Sequence, residues 1–289
     1  MLNNKSFYIK LDILFKFLFI AIFFISCGGI ADKSIDRTAI SCQSIGANPK
    51  VIGGEDCKDA DDSAVVRIAG TYTDGDQIFT AFLCTGTFIS QTTVLTAAHC
   101  VEDISIADNA IENFIIVYGQ GENKNSVNVS SVSVNPNYVF NSDIGRSFND
   151  LAILKIATPV SSKILPVVRT NILSVNQQAF LFGYGSTGPE NISEEVFRDL
   201  KAGETSIHTL TDDHIFTLFS DQDNDNVCSG DSGGPLIVKN GETPVVVGVL
   251  SEGNTIGCVK GDFNSYTNLF NESIIDWMLG ISPDIFFNS

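Results

Sequence analysis

Basic residues are scarce in this chain of 289 residues, which has 17 Lys and Arg against 34 Asp and Glu and a formal net charge of −17. Residues 51–289 hold 11 of the basic and 31 of the acidic residues, so the excess of negative charge lies in residues 51–289. Such a surface repels the phosphates of nucleic acids, and we expect no nucleic-acid partner. The acidic surface itself is most simply a feature that favours solubility.

The apolar run near the N-terminus, residues 17–25, is too short to cross a bilayer. It follows three lysines, which is typical of the apolar segment of a signal peptide. The next residues, Ser26-Cys27-Gly28-Gly29, resemble the bacterial lipoprotein cleavage box, in which the cysteine is lipidated. We therefore predict a signal peptide over residues 1–27 and an exported protein. It is either secreted or anchored to a membrane of the cell envelope through a lipid on Cys27.

Helical periodicity is missing from every long stretch of the chain, and we find no internal repeat. Eight short segments have the composition of strands and are separated by clusters of Gly, Asn, Asp and Ser. This pattern is typical of an all-β sandwich or barrel. The one convincing helix covers residues 272–279, at the C-terminus. The predicted strands are residues 64–68, 85–90, 114–118, 127–134, 151–156, 179–184, 236–238 and 245–250.

Histidine is also rare, with three residues in the chain. His99 ends an apolar, strand-like run, and the two alanines before it leave room for its ring to be reached from a cleft. His208 and His214 lie in a polar stretch without such a frame, and we interpret both as structural or surface residues. His99 is therefore the candidate general base.

The most informative motif that is present is Gly230-Asp231-Ser232-Gly233-Gly234-Pro235-Leu236. Glycines around a serine allow unusual torsion angles and close approach, which a nucleophilic hydroxyl beside oxyanion-binding N–H groups requires. A serine alone is a poor nucleophile and needs a base and an orienting acid. Asp150 stands directly before an apolar segment, at the edge of a core, where an imidazole N–H could satisfy its carboxylate.

With His99, Asp150 and Ser232 in this order, the chain resembles the chymotrypsin/trypsin family of serine endopeptidases over residues 51 to about 280. This resemblance implies a protease domain over residues 51–289, made of two antiparallel six-stranded β-barrels at about 51–157 and 158–270. The active site would lie in the cleft between the barrels, and a short helix would follow. The motifs that carry the resemblance are Val51-Ile52-Gly53-Gly54, Thr85-Gly86-Thr87-Phe88-Ile89-Ser90, Thr96-Ala97-Ala98-His99-Cys100, Asn149-Asp150-Leu151, Gly183-Tyr184-Gly185, Cys228-Ser229-Gly230-Asp231-Ser232-Gly233-Gly234-Pro235, and Ser251 with Gly253.

The resemblance also implies a mechanism. His99 takes the proton from Ser232 as the hydroxyl attacks a peptide carbonyl, and Asp150 orients His99. The N–H groups of Gly230 and Ser232 form the oxyanion hole, and Ser251 resembles the family serine that hydrogen-bonds the aspartate. We expect a monomer that hydrolyses proteins or peptides through an acyl-enzyme, without a cofactor or a metal ion.

Activation is implied by Lys50, which stands directly before Val51. In the family, cleavage at this point frees an α-ammonium that pairs with the aspartate before the nucleophile, here Asp231. We therefore predict a zymogen in which residues 28–50 are a pro-segment. An activating protease cuts between Lys50 and Val51.

Seven cysteines are an odd number for a chain that looks exported. The resemblance implies a bridge beside the histidine and another beside the specificity pocket. Once Cys27 is set aside as the lipid site, two cysteines remain, and we predict a third bridge between them; the alternative is that one is a free thiol. The three predicted disulfides are Cys84–Cys100, Cys228–Cys258 and Cys42–Cys57.

The specificity pocket is where this chain departs from the family. Asn226, six residues before the nucleophile, replaces the aspartate at the base of a trypsin pocket, so we do not expect a strong preference for lysine or arginine. Gly253 keeps one wall open, while Asn264 in the opposite wall is larger than the family's common glycine. Glu252 replaces the family's tryptophan and alters the neighbouring subsites. Asp225 is expected in a solvated acidic loop.

Two other functions stay open at this point. A catalytically silent, protease-like binding protein would share the fold, although such homologues usually lack a triad member and this chain has all three. An inert surface lipoprotein would explain the leader but not the motifs.

Overall fold

The computed structural model describes residues 55–56, 63–102, 104–106, 109–119, 124–186, 199–220, 225–254, 258–285 and 287–288. This part of the chain is mostly β-structure, with one short α-helix, α1 (Glu272–Ile281). The strands are, in chain order, β1 (Glu55–Asp56), β2 (Val65–Asp74), β3 (Gln77–Ser90), β4 (Thr93–Thr96), β5 (Ser105–Ile106), β6 (Asn109–Ala110), β7 (Asn113–Tyr118), β8 (Asn125–Val134), β9 (Val139–Asn141), β10 (Arg146–Phe148), β11 (Ala152–Ile156), β12 (Val167–Val168), β13 (Gln178–Gly183), β14 (Lys201–Leu210), β15 (His214–Leu218), β16 (Pro235–Asn240), β17 (Thr243–Gly253), β18 (Phe263–Asn268) and β19 (Phe287–Asn288).

The N-terminal barrel closes from six antiparallel strands in the order β11-β4-β3-β2-β7-β8. Its interior is filled by fully buried apolar side chains such as Ile68, Phe88 and Ile116. Branched and aromatic residues of this kind fit a pleated surface that is covered on one side. β4 and β11 are neighbours in this barrel, and Thr96 pairs with Ala152 at the end of the ladder.

The C-terminal barrel closes in the order β16-β13-β14-β15-β18-β17, with β16 pairing again with β17. Its interior includes the buried side chains of Leu181, Ile215 and Val247. The predicted fold class is therefore confirmed: two six-stranded antiparallel barrels are followed by a short helix. β9 and β10 form a separate two-stranded hairpin outside both barrels, just before Asp150.

Three strands of the C-terminal barrel, β14, β15 and β18, are absent from the sequence-based prediction. β14 reads KAGETSIHTL, and its glycine, glutamate and lysine are depleted in strands. Its inward-facing residues, among them Thr205 and Ile207, are nevertheless buried between neighbouring strands. The strand state here is decided by pairing partners and not by local propensity.

Helix α1 begins as predicted and extends two residues further, to Ile281. The side chain of Asn271 caps it by accepting a hydrogen bond from the N–H of Ser273 at 3.0 Å. Ile274 and Met278 bury its apolar face. Within the described ranges, no helix has both the length and the apolar composition needed to cross a membrane.

Thr85 of β3 connects the two barrels beside the candidate site. Its N–H donates to the carbonyl of Ser232 at 2.9 Å, and its hydroxyl donates to the carbonyl of Gly230 at 2.9 Å. The same hydroxyl accepts a hydrogen bond from the N–H of Tyr184 at 3.1 Å. The serine loop of one barrel is therefore fixed to a central strand of the other.

Candidate active site

His99 and Asp150 meet because their strands are paired. His99 lies on a 3-10 turn, Ala98–Cys100, that begins two residues after the end of β4. Asp150 lies two residues before the start of β11, the partner of β4. The imidazole Nδ1 lies 2.7 Å from Oδ2 of Asp150. The backbone N–H of His99 also donates to Oδ1 of the same carboxylate, at 2.9 Å. Two contacts therefore fix the carboxylate against the ring.

Asp150 is fully buried and fully hydrogen-bonded. Besides the two contacts from His99, its Oδ2 accepts a hydrogen bond from the hydroxyl of Ser251 at 2.6 Å. Burial disfavours the ionised carboxylate, but the hydrogen bonds and charge of His99 and the Ser251 hydroxyl outweigh it and lower the pKa of Asp150. The Asp150 carboxylate therefore stays ionised although it is buried.

His99 is the complementary case, since its side chain remains 33% exposed toward the cleft. Burial alone would lower the pKa of His99, but the hydrogen bond and charge of Asp150 outweigh it and the pKa is raised. A disulfide between Cys84 and Cys100 connects the histidine turn to β3. The imidazole is therefore held on one side and open on the other, as a proton acceptor must be.

The Ser232 loop packs against the histidine strand through a residue without a side chain. Gly233 has a φ of 79°, and a Cβ there would lie 2.1 Å from Oγ1 of Thr96 and 3.1 Å from the N of Ala97. Only glycine permits this approach, which brings Ser232 beside the turn that carries His99. Among the described residues, the Ser232 hydroxyl forms no hydrogen bond with the imidazole. Such contacts often tighten only when substrate binds.

Gly230 has a φ of 94°, a conformation that favours glycine. Within the described part of the chain, the N–H groups of Gly230 and Ser232 donate to no acceptor. Two free N–H groups beside a serine hydroxyl can hold the oxygen of a tetrahedral intermediate.

The family model described as Trypsin matches residues 51–278 of the chain. The chain belongs to the trypsin family. Members of this family are, as a rule, serine endopeptidases that act on proteins and are typically extracellular. The match covers both barrels and most of α1, and it includes each residue described above.

Asp231, which precedes the serine, is the second buried carboxylate of this trypsin-family site. It accepts hydrogen bonds from the N–H groups of Gly185 and Cys228, both at 2.8 Å. A Cβ on Gly183 would lie 2.0 Å from Oδ1 of Asp231. The Gly183-Tyr184-Gly185 motif is therefore explained by the space that the Asp231 side chain needs.

A pocket opens beside Ser232 and has a volume of about 120 Å³. Asn226 is fully buried behind it, and its Oδ1 accepts a hydrogen bond from Nδ2 of Asn264 at 2.7 Å. The Nδ2 of Asn226 has no partner among the described residues. The residues that line the pocket are Val227, Cys228, Ser229, Ser232, Leu250, Glu252, Gly253, Cys258, Asp262 and Asn264.

Asp225, next to the pocket base, differs from the solvated loop residue that the sequence suggests. Its side chain accepts a hydrogen bond from the N–H of Glu204 at 2.7 Å, and it packs against Gly203, where a Cβ would lie 2.3 Å from the Asp225 Cβ. Burial raises the pKa of Asp225 to about 6. The interpretation of Asp225 as a solvated residue is wrong because β14 covers it.

Ser147 and His214 flank the site. Ser147 was assigned no role from the sequence, and His214 was interpreted as a structural or surface residue. The buried His214 ring contacts the carbonyl of Ser147 through Nε2 at 2.7 Å, and burial lowers the pKa of His214. The N–H of Ser147 donates to Oε1 of Glu252 at 2.9 Å. No local motif marks these residues, since their contacts join three distant parts of the chain. His208, by contrast, is exposed.

The structure contains two of the predicted disulfides, Cys84–Cys100 and Cys228–Cys258. It also brings His99 and Asp150 together with Ser251, and it gathers Asn264, Glu252 and Gly253 around one pocket. The remaining predicted positions lie outside the described residues; they are Cys27, Cys42, Lys50, Val51 and Cys57.

Proposed function

We propose that this protein is a serine endopeptidase in which Ser232 is the nucleophile, His99 the general base and Asp150 the orienting acid. The observation that carries the proposal is the set of hydrogen bonds to the buried Asp150 carboxylate. They come from the backbone N–H of His99, from its ring Nδ1 and from the hydroxyl of Ser251. A carboxylate so placed selects the tautomer whose Nε2 is free to accept a proton. It also stabilises the imidazolium that then forms.

The reaction follows from these roles. His99 accepts the Ser232 proton as Oγ attacks the peptide carbonyl, and the N–H groups of Gly230 and Ser232 stabilise the oxyanion. His99 then donates the proton to the leaving amine, which departs and leaves an acyl-enzyme. Water, deprotonated by His99, attacks the acyl group, and the proton returns to Ser232 as the acid product leaves.

The proposal includes activation by cleavage between Lys50 and Val51. Asp231 supports it, because its carboxylate is buried and oriented by two N–H groups beside the candidate oxyanion hole. A new α-ammonium at Val51 would pair with this carboxylate. A buried carboxylate without a cation costs several kcal/mol, so the uncut chain would hold the loop differently. Residues 28–50 would form the pro-segment, and another protease would cut it.

Location is the third part of the proposal. Residues 1–27 would direct export, and a lipid on Cys27 would anchor the chain to a membrane. Disulfides such as Cys84–Cys100 persist in oxidising compartments, which fits an exported protein. A Cys42–Cys57 bond would keep the cut domain of residues 51–289 attached to the anchor. The active enzyme would be a monomer without a cofactor or a metal ion.

A fluorophosphonate label on the cleaved protein tests the catalytic proposal, because this reagent reacts with activated serines. We expect labelling at Ser232 that is lost in Ser232→Ala and His99→Ala and kept in His208→Ala, a matched control at an exposed histidine. Absence of label after confirmed cleavage at Val51 would favour the silent binding protein instead.

Two further measurements test activation and location. A Lys50→Gln chain that stays uncut should hydrolyse peptides far more slowly than the cut enzyme; equal rates would contradict the zymogen. Reductant should release the cut domain from membranes, and release without reductant would count against the tether.

A further inference from the structure

Glu252 carries a carboxylate beside the candidate active site that forms no ion pair within the described residues. Its Oε1 accepts the N–H of Ser147 at 2.9 Å, and this is its only hydrogen bond within the described residues. Burial raises the pKa of Glu252. A half-buried carboxylate without a cation is costly to maintain, and such groups cluster at functional sites.

Glu252 lies close to the candidate catalytic groups and also lines the pocket. The residue before it, Ser251, bonds Asp150, and Glu252 lines the pocket together with Ser232. Any peptide whose scissile carbonyl reaches Ser232 therefore has a neighbouring side chain close to Glu252. The carboxylate is held in place by the hairpin β9–β10 through Ser147, so it does not need to be ordered on binding.

The charged residues that line the pocket have one sign. Among the described residues that line the pocket, Glu252 and Asp262 are acidic and none is Lys, Arg or His. Outside this lining, Arg146 and a protonated His99 attract the Glu252 carboxylate. Arg146 has its guanidinium 4.6 Å over the ring of Phe216, and among the described residues neither cation forms an ion pair with Glu252. The net negative charge of the domain also favours the approach of cationic segments.

We infer that Glu252 selects substrates that carry a positively charged side chain close to the scissile bond. The uncharged amides of Asn226, behind the pocket, and Asn264, in its lining, do not supply such a preference, so we assign the selectivity of this site to Glu252. The inference rests on the proposed peptidase function. It assigns the class of substrate as peptides with a lysine or arginine beside the cleaved bond.

The test uses the cleaved enzyme and peptides that differ at one position. Lys, Gln and Glu are placed in turn at each of the positions around the scissile bond, and kcat/KM is measured for each peptide. At one position we expect Lys to exceed Gln by about tenfold, the size of one partly desolvated ion pair. In Glu252→Gln, which keeps the acceptor for Ser147, this ratio should fall to about one. In Glu252→Lys, the Glu peptide should become the better substrate.

Glu242→Gln is the matched control, because it removes the same charge from an exposed turn at the other end of β17, roughly 30 Å away along the strand. It should leave the Lys-to-Gln ratio unchanged. An unchanged ratio in Glu252→Gln overturns the inference, and so does an equal loss of kcat/KM for all peptides, which would make Glu252 a support for the hairpin only. If the cleaved enzyme hydrolyses none of the peptides, the proposed peptidase function is overturned as well.

Discussion

Two buried polar groups of this site, the carboxylate of Asp150 and the amide of Asn226, differ in how completely they are hydrogen-bonded. Asp150, at the edge of the N-terminal barrel, accepts three hydrogen bonds, two from His99 and one from Ser251. Asn226, in the C-terminal barrel, accepts one from Asn264, and its Nδ2 has no partner within the described residues.

The difference separates the part of the site that holds charge from the part that receives the substrate. An ionised group inside a protein is stable only when its lone pairs are satisfied, so every neighbour of Asp150 is constrained. A neutral amide with one unmet donor costs far less. We therefore expect substitutions around Asp150 to lower activity, and substitutions around Asn226 to change stability and substrate preference.

The strongest test of this comparison is Asp150→Asn. The amide cannot accept hydrogen bonds from both the backbone N–H and the ring Nδ1 of His99 as the carboxylate does. It also favours the wrong imidazole tautomer, so kcat should fall by about 10⁴-fold.

The pH dependence gives a second measurement of the Asp150 charge. In the unmodified enzyme the pKa of His99 is raised, and only the neutral ring can act as the base. As the pH is lowered, kcat/KM should therefore fall with a midpoint above the ordinary pKa of histidine. This midpoint should move to lower pH in any active variant that loses the Asp150 charge.

Gly183→Ala probes the second carboxylate, Asp231. The new methyl group would collide with Oδ1 of Asp231, and we expect a loss of about 3 kcal/mol or more in the free energy of unfolding. Chemical denaturation measures it. Gly280→Ala in α1 is the control, because nothing lies within 4 Å of its Cβ position; it should be neutral or stabilising. Equal stability of both variants would contradict the packing argument.

Asn226→Asp tests the same contrast between a charged and a neutral buried group, at the position behind the pocket. It places a carboxylate in a fully buried position, and burial will raise the pKa of that aspartate. Because the folded-state pKa is raised, the variant should match the parent at about pH 4 and lose roughly 2 kcal/mol as the pH rises above it. Thermal melts at pH 4 and pH 8 show this. Asn171→Asp, at an exposed position, should show no such pH dependence.

Ser251→Ala removes one of the three donors to Asp150 and leaves both contacts with His99. We expect kcat/KM to fall by about tenfold, since one hydrogen bond to a charged group is lost and the ring stays oriented. Ser251→Thr keeps the hydroxyl and should lose less. If Ser251→Ala lost as much activity as Asp150→Asn, Ser251 and not His99 would orient the carboxylate.

Asp225→Asn has the smallest expected effect. The pKa of about 6 means that ionisation of this half-buried group opposes folding, and the cost appears as pH rises through the range from 4 to 6. An asparagine can still accept the N–H of Glu204, so it should raise Tm by roughly 2–4 °C at pH 7.5 and by less at pH 4. A lower Tm at pH 7.5 would show that the charge is stabilising.

The fold and the candidate site residues were within reach of the sequence because they are marked locally. The serine and histidine motifs, together with their order, indicated the family, and strands such as β4 and β11 have apolar runs. The strands β14, β15 and β18 were missed, and Ser147 and His214 were not given their contacts. These contacts depend on side chains brought together from three segments, which no local pattern encodes.

The sequence by itself determined which residues are chemically able to act: a serine between glycines, a framed histidine, an aspartate at a strand edge and an asparagine where trypsins carry aspartate. Only the tertiary structure decided how they are supported. Pairing of β4 with β11 aligned Asp150 with His99. Closure of the second barrel covered part of the Asp225 side chain and placed Glu252 in the lining of the pocket. Burial and charge pairing are properties of neighbours in space, so they arise only when distant strands meet.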